Sequence, residues 1–207
     1  FELYFAAALR VKPARGEYPD GLPDLPGYEI GREVSRGGQG VVYEAIQTRT
    51  RRRVALKVLR QDHGISRTQR ARFEREIEIA AALTHPGIVA VYDSIAMQGG
   101  RHALVLEYVE GCALDRRIES AGENVSRHRE AAELIAKVCD AIHYAHQRGV
   151  IHRDLKPSNI LVDGAGKPRI LDFGVACWFG ATAGDAAKIT LTGEFAGTLA
   201  YAAPEQV

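Results

Sequence analysis

The sequence predicts an α+β protein with a β-rich first half and a mainly helical second half. Short runs of alternating or β-branched residues, separated by turn residues, occupy the stretch from Tyr28 to Leu59 and predict strands. The pattern changes after Tyr108, and apolar residues at helical spacing follow from Ser126. With 207 residues, 46% of them apolar, the chain can bury the core of one domain or of two small ones.

Composition and charge exclude several classes of partner and site. The 27 basic and 26 acidic residues leave a net charge of +1, which gives no case for nucleic acid or an anionic membrane as a partner. Cys112, Cys139 and Cys177 are too few and too scattered for a disulfide framework or a structural zinc site. No apolar run approaches the roughly 20 residues that a membrane helix needs. We therefore expect a cytoplasmic chain, or the intracellular part of a larger membrane-anchored protein.

The first half contains a flanking segment, five strand candidates and one helix. Four prolines and three glycines in residues 12–27 predict an irregular linker, so residues 1–27 form a flank before the first folded element. A Ser-x-x-Gln capping pattern that begins at Ser66 predicts a helix to about Leu83. Its apolar face is expected to comprise Phe73, Ile77, Ala80 and Ala81. The predicted strands are residues 28–34, 41–46, 53–59, 88–95 and 103–108.

The second half is predicted to start with a long helix and to continue with a hairpin. Two short strand candidates, 160–162 and 169–171, flank a glycine-containing turn at 163–167. Residues 175–197, rich in Ala, Gly and Thr, predict a loop long enough to be functional. The helix is predicted to end near Gly149, and its apolar residues at helical spacing are Leu134, Ile135, Val138, Ile142 and Ala145.

Two features of the first half could handle phosphate. Gly37, Gly38 and Gly40 lie in a turn between strands, where backbone N–H groups can approach phosphate oxygens because no Cβ intervenes. By itself such a turn is more often an ordinary tight turn. Lys57 lies inside an apolar strand, so it either snorkels to solvent or holds a functional charge that needs an acidic partner. Glu76, at the border of the buried face of the next helix, is the candidate partner.

The densest set of chemically useful side chains lies between residues 150 and 161. It combines a candidate base, Asp154, with the cations Arg153 and Lys156 and the amide of Asn159. Thirteen residues after that amide, Asp172 follows the second strand of the hairpin, so the two should lie side by side at the hairpin base. Their oxygens are hard ligands of the kind that Mg²⁺ prefers. His152 is expected to support this loop by packing and hydrogen bonding rather than by proton transfer.

Taken in order, these motifs resemble those of the protein kinase family, and their residues are most similar to those of bacterial serine/threonine kinases. The resemblance runs from about Tyr28 to the last residue and implies a two-lobed fold. A β-rich N-lobe with one helix would occupy 28–108, and a partial, mainly helical C-lobe would occupy 109–207. Because the chain stops just after its last motif, we expect a fragment that folds poorly or acts weakly alone. The motifs are Ser35-Arg36-Gly37-Gly38-Gln39-Gly40, Val54-Ala55-Leu56-Lys57, His152 to Asn159, Asp172-Phe173-Gly174 and Ala203-Pro204-Glu205.

The resemblance implies a reaction and a role for each catalytic residue. The γ-phosphate of ATP would pass to serine or threonine hydroxyls of proteins. Asp154 would accept the proton of the substrate hydroxyl, and Lys156 would neutralise the transferring phosphoryl group. Lys57, paired with Glu76, would hold the α- and β-phosphates.

The resemblance also implies a metal site and a nucleotide site. Asn159 and Asp172 would hold Mg²⁺, with Mn²⁺ as an alternative. Ser35 stands where the family has its first glycine, but the glycines that cradle phosphate remain. Leu106 would guard the back of the pocket. The residues expected around ATP are Val34, Ser35, Gly37, Gly38, Gly40, Val42, Ala55, Lys57, Leu106, Glu107, Val109 and Leu161.

Regulation and two rival functions complete the expectations. Thr190 and Thr192 lie where the resemblance places activating phosphothreonines, although they could be ordinary loop residues, and Thr198 would belong to the substrate platform. Self-association for phosphorylation in trans is expected with this mode of control. The rivals are a nucleotide-binding pseudokinase or scaffold and a small-molecule phosphotransferase of the same fold. Intact Lys57 and Asp154 argue against the first rival, and Lys156 argues against the second.

Overall fold

The computed structural model describes residues 25–37, 40–59, 67–97, 102–119, 125–173 and 201, and it leaves the side chains of 67–73, 119 and 125–127 undescribed. The chain divides into two compact units that are interleaved in sequence. Unit 1 comprises Phe1–Gln61 and Ile95–Tyr108, and unit 2 comprises Asp62–Ser94 and Val109–Val207. The lobes proposed from the sequence, at 28–108 and 109–207, stay predictions. The predicted flank before residue 25 and the predicted loop at 175–197 lie outside the described residues.

An antiparallel sheet organises unit 1. Because side chains alternate along a strand, Val54, Leu56 and Val58 lie on one face with Tyr43 and Ala45 of the neighbouring strand, and all five are buried. Burying each of the three β3 side chains contributes roughly 1.5–3 kcal/mol, so this face is the core of the unit. The strands are β1 (Tyr28–Gly37), β2 (Gly40–Gln47), β3 (Arg52–Leu59), β4 (Val91–Ala96) and β5 (His102–Glu107), in the order β1-β2-β3-β5-β4, and β4 belongs to unit 1 only from Ile95 onwards.

Helices pack on a small antiparallel sheet in unit 2. The longest described helix is buried at Val138, Ala141 and Ala145 and partly buried at Leu134, and this stripe packs on the sheet residue Ile170 and its neighbours. The helices are α1 (Arg67–Ala81), α2 (Leu114–Glu119) and α3 (Val125–His146), with a 3₁₀ turn at Pro157–Asn159. The strands β6 (Gly111–Ala113), β7 (Ile160–Asp163) and β8 (Pro168–Ile170) form the sheet in that order. No helix among the described residues is both long and apolar enough to cross a membrane.

The structure confirms most predicted elements and corrects several details. The predicted strand at 88–95 is wrong at its start, because Ile88 continues a turn from His85 and forms only an isolated bridge to Ile170. Ile135 is 48% exposed, since the buried stripe of α3 runs through the positions one before and three after it. Ala81 is also exposed, at the end of α1. The short elements β6 and α2 were not predicted.

Candidate active site

One face of the unit 1 sheet brings together side chains predicted to contact ATP. Val42 pairs with Lys57 across β2 and β3, and Ala55 pairs with Leu106 across β3 and β5, so all four side chains stand on the face opposite the core. Lys57 is only 4% exposed, which contradicts an ammonium that snorkels to solvent. A buried ammonium is costly unless it meets compensating charge or hydrogen bonds, and this favours a functional role.

The two described glycines of the turn are glycines for different reasons. Gly40 has φ +152°, and a Cβ on it would lie 2.1 Å from the backbone oxygen of Val58. The fold itself therefore requires glycine at Gly40. A Cβ on Gly37 would meet nothing within 4 Å, so its backbone faces open space. Open backbone is what a phosphate needs for close approach, whereas the predicted Gly38 lies outside the described residues. Val34 and Ser35, just before the turn, are exposed.

The candidate base lies within a hydrogen-bonded loop in unit 2. The ammonium Nζ of Lys156 lies 2.8 Å from Oδ2 of Asp154. The amide Nδ2 of Asn159 donates to the backbone oxygen of Asp154 at 2.8 Å and to its Oδ2 at 3.2 Å. Both side chains therefore engage the same carboxylate oxygen, which holds Asp154 in one orientation. Arg153, the preceding residue, has φ +66°, a left-handed conformation that arginine rarely adopts.

Buried His152 joins this loop to the strand end that carries Asp172. Its Nδ1 accepts the backbone N–H of Asp154 at 3.4 Å, so Nε2 carries the proton and donates to the backbone oxygen of Leu171 at 2.7 Å. The ring also meets the edge of Phe173 at a centroid distance of 4.8 Å. Burial lowers the pKa of His152, although the hydrogen bond to Leu171 and the neighbouring carboxylates oppose that shift. These contacts agree with the supporting role predicted for His152.

Asn159 and Asp172 lie at the same end of the β7–β8 hairpin. The backbone N–H of Leu171 donates to the backbone oxygen of Asn159 at 2.9 Å, and Asp172 is the next residue. Asp172 has φ +60°, and non-glycine residues in this conformation occur mainly where the surrounding structure over-determines them, as at functional sites. The predicted juxtaposition at the hairpin base is thus present in the backbone. Within the described ranges, no three or more His, Cys, Asp or Glu side chains cluster as a metal site.

The remaining predicted residues are distributed over both units. Glu76 lies on α1 and is partly buried; burial raises its pKa, while the charge of Arg153 lowers it in part. The predicted pairing of Glu76 with Lys57 joins residues of different units and stays a prediction. Glu107, Val109 and Leu161 are partly buried on β5, after β5 and on β7, respectively. Thr190, Thr192 and Thr198 lie outside the described residues.

Sequence reasoning missed a charged cluster on the same face of unit 1 as Lys57. Glu44 lies two residues after Val42 on β2, and its carboxylate contacts Arg32 and Arg53. Both guanidinium groups also contact Tyr108, just after β5. The only signal in the sequence was the alternation along each strand, and the strand register was needed to bring these residues together.

Comparison with known proteins agrees with this fold. The sequence-family model of the protein kinase domain matches residues 28–207, so the chain belongs to that family. The chain is 38% identical over 182 residues to the serine/threonine-protein kinase PknB of Mycobacterium leprae, and the match covers 86% of this chain and 28% of that protein. It is 40% identical over 185 residues to PknF of Mycobacterium tuberculosis, covering 87% of this chain and 38% of that protein. The chain thus spans well under half the length of these relatives.

Proposed function

We propose that this chain is the catalytic part of a serine/threonine protein kinase that uses MgATP. The observation that carries the proposal is the loop in which Lys156 and Asn159 both hold Asp154, with Asp172 at the adjoining hairpin end. A reaction that needs little covalent chemistry depends on positioned charge of this kind. The names of the relatives, both serine/threonine-protein kinases, support the same assignment.

The chemistry balances with these residues in their proposed roles. The oxygen of a serine or threonine hydroxyl forms a bond to the γ-phosphorus of ATP, and the bond from that phosphorus to the bridging oxygen of ADP breaks. Asp154 accepts the proton that the hydroxyl loses. Because its Oδ2 is held by Lys156 and Asn159, the other oxygen can face the incoming hydroxyl. The ammonium of Lys156 is then close to the charge that develops on the transferring group.

The metal proposal rests on the chemistry of two side chains. The carboxylate of Asp172 and the amide oxygen of Asn159 are hard donors, and Mg²⁺ commonly takes only one or two protein ligands alongside substrate phosphates. When bound, Mg²⁺ or Mn²⁺ would offset the negative charge of the phosphates.

The nucleotide proposal assigns roles to residues of the β1–β2 turn and of strands β2, β3 and β5, among others. Lys57 holds the α- and β-phosphates, and the open backbone at Gly37 approaches the phosphate chain. The residues proposed for apolar contact with adenine are Val34, Val42, Ala55, Leu106 and Leu161, and the backbone groups proposed for its polar edge are those of Glu107 and Val109.

Control by phosphorylation belongs to the same proposal. Thr190 and Thr192 are proposed as sites that a second copy of the protein phosphorylates, and Thr198 as part of the surface that receives the substrate. Exposed Arg153, next to Asp154, could accept the added phosphate through charge-assisted hydrogen bonds. Phosphopeptide mapping after incubation with ATP tests this, and finding no phosphate between Asp172 and Ala203 contradicts it.

The experiment that tests the kinase proposal measures transfer of radiolabelled phosphate from ATP to a protein substrate. Asp154→Asn should lower the rate by about 10²- to 10⁴-fold, since a positioned base is lost while the shape is kept. The matched control is Asp140→Asn, the same chemical change at an exposed position of α3, and it should leave the rate unchanged. Equal rates for wild type and Asp154→Asn would contradict the proposal. Wild-type protein that binds MgATP but transfers no phosphate would favour the pseudokinase alternative.

A further inference from the structure

Four side chains of unit 1 form a connected group that we name the rim cluster: Arg32, Glu44, Arg53 and Tyr108. Nε of Arg32 donates to Oε2 of Glu44 at 3.0 Å, and Nη1 of Arg53 lies 3.7 Å from Oε1 of the same carboxylate. Nη2 of Arg32 donates to the hydroxyl of Tyr108 at 3.3 Å. The guanidinium carbon of Arg53 lies 4.5 Å from the centroid of the Tyr108 ring. The carboxylate of Glu44 therefore contacts both guanidinium groups, and both guanidinium groups contact the side chain of Tyr108.

The rim cluster joins parts of the sheet that are not neighbours. Arg32 lies on β1, while Tyr108 follows β5, and two strands, β2 and β3, lie between β1 and β5 in the sheet. At the usual spacing of about 4.8 Å, β1 and β5 are roughly 14 Å apart along the sheet. The Arg32–Tyr108 hydrogen bond crosses this distance on the face opposite the core. Glu44 and Arg53, on the two intervening strands, support the crossing side chains.

The face that the cluster crosses is the one proposed to bind nucleotide. Glu44 pairs with Ala55 in the β2–β3 register, and Ala55 pairs in turn with Leu106. Tyr108 directly follows Glu107, whose backbone is proposed to meet the adenine edge. Arg32 lies on the strand that leads into the glycine turn. The cluster thus connects the ribbon proposed to cover the phosphates with the chain segment proposed to hold the adenine.

We propose that the rim cluster is a positioning device that holds the β1–β2 ribbon and the segment after β5 at a fixed separation, and so sets the affinity for MgATP. The inference rests on the proposed nucleotide site. Arg32, Glu44, Arg53 and Tyr108 are positioning residues, because they act through the backbone of neighbours and take no part in phosphoryl transfer.

The exposure of the cluster separates this role from a purely structural one. The side chains of Arg32 and Arg53 are 50% and 41% exposed, and Glu44 is 21% exposed. Ion pairs at such exposure contribute little to the free energy of unfolding, because solvent screens the charges and the side chains lose entropy. Breaking the cluster should therefore change the MgATP affinity more than it changes stability.

The test uses the full chain and the variants Glu44→Gln and Tyr108→Phe. Glu44→Gln removes the charge that holds both guanidiniums and should weaken MgATP binding by about three- to tenfold, with kcat unchanged and KM for ATP raised by the same factor. Tyr108→Phe keeps the ring under Arg53 but loses the bond from Arg32, so its loss should be smaller. Amide exchange at Glu107 and Tyr108 in the free protein should accelerate in both variants.

The matched control is Glu29→Gln, which breaks the exposed Arg51–Glu29 pair in the same unit and should leave affinity and exchange unchanged. If wild type binds MgATP and Glu44→Gln binds it equally well, the inference fails and the proposed function survives. If the loss of MgATP binding free energy is no larger than the loss of unfolding free energy, the role is structural and the inference also fails. Failure of wild type to bind MgATP would overturn both.

Discussion

Substituting Gly40 by alanine should destabilise the start of β2, whereas the same substitution at Gly37 should not. Both glycines flank the turn that is proposed to cover the phosphates, and they pair with each other across β1 and β2. They differ in backbone conformation and in the space around them. Comparing the two substitutions therefore distinguishes an effect on stability from an effect on ligand binding.

The magnitude follows from the geometry at Gly40. An alanine held at φ +152° carries backbone strain of about 1–3 kcal/mol. Its Cβ would lie 2.1 Å from the backbone oxygen of Val58, against an ordinary contact of about 3.4 Å, so the strands must part by roughly 1.3 Å. That movement disrupts the terminal Gly40–Leu59 pair, at about 0.5–1.5 kcal/mol for a lost hydrogen bond. The free energy of unfolding should fall by roughly 1.5–4.5 kcal/mol in total. At Gly37 the change should stay within about 0.5 kcal/mol.

The assay is urea unfolding followed by far-ultraviolet circular dichroism, combined with MgATP titration under conditions where both variants are folded. Gly37→Ala should keep the wild-type unfolding midpoint but bind MgATP more weakly, because a methyl group then stands where the phosphate is proposed to approach. Equal unfolding midpoints for Gly40→Ala and wild type would refute the steric reasoning. Wild-type MgATP affinity in Gly37→Ala would refute the role of its open backbone.

Two further predictions concern unit 2. Burial lowers the pKa of His152, so the folded chain binds fewer protons than the unfolded chain as the pH falls through the ordinary pKa of histidine, about 6.5, and the free energy of unfolding should fall with it. The raised pKa of Glu76 has the opposite effect on the free energy of unfolding, and it acts at lower pH. His152→Gln should therefore reduce the pH dependence of the free energy of unfolding only in the higher part of the pH range. An unchanged pH dependence, measured by urea unfolding at a series of pH values, would contradict this. Ile170 is fully buried beneath α3, so Ile170→Ala should lower the free energy of unfolding by about 2–5 kcal/mol. The control Ile135→Ala, at a half-exposed position of α3, should lose less than about 1 kcal/mol, and equal losses would count against the assigned core.

Local sequence patterns were sufficient to predict most of the helices and strands. Strand alternation at 41–46 and 53–59 and the helical spacing around Val138 are properties of neighbouring residues, and the structure has β2, β3 and α3 there. Elements as short as β6 and α2 contain less than two turns or two alternations, so they leave no periodic signal. The edges of buried stripes were also missed, because the partner that covers a helix decides which of two adjacent positions it contacts.

The order and identity of the motifs by themselves determined the family, and the adjacency of Asn159 and Asp172 followed from a predicted hairpin. Only the tertiary structure showed that His152 joins Leu171 to the loop of Asp154, and that Gly40 is constrained while Gly37 is open. It alone brought Arg32 to Tyr108, which lies 76 residues away in the chain. The physical reason is strand register: pairing across four strands decides which distant side chains share a face, and no local pattern encodes that pairing.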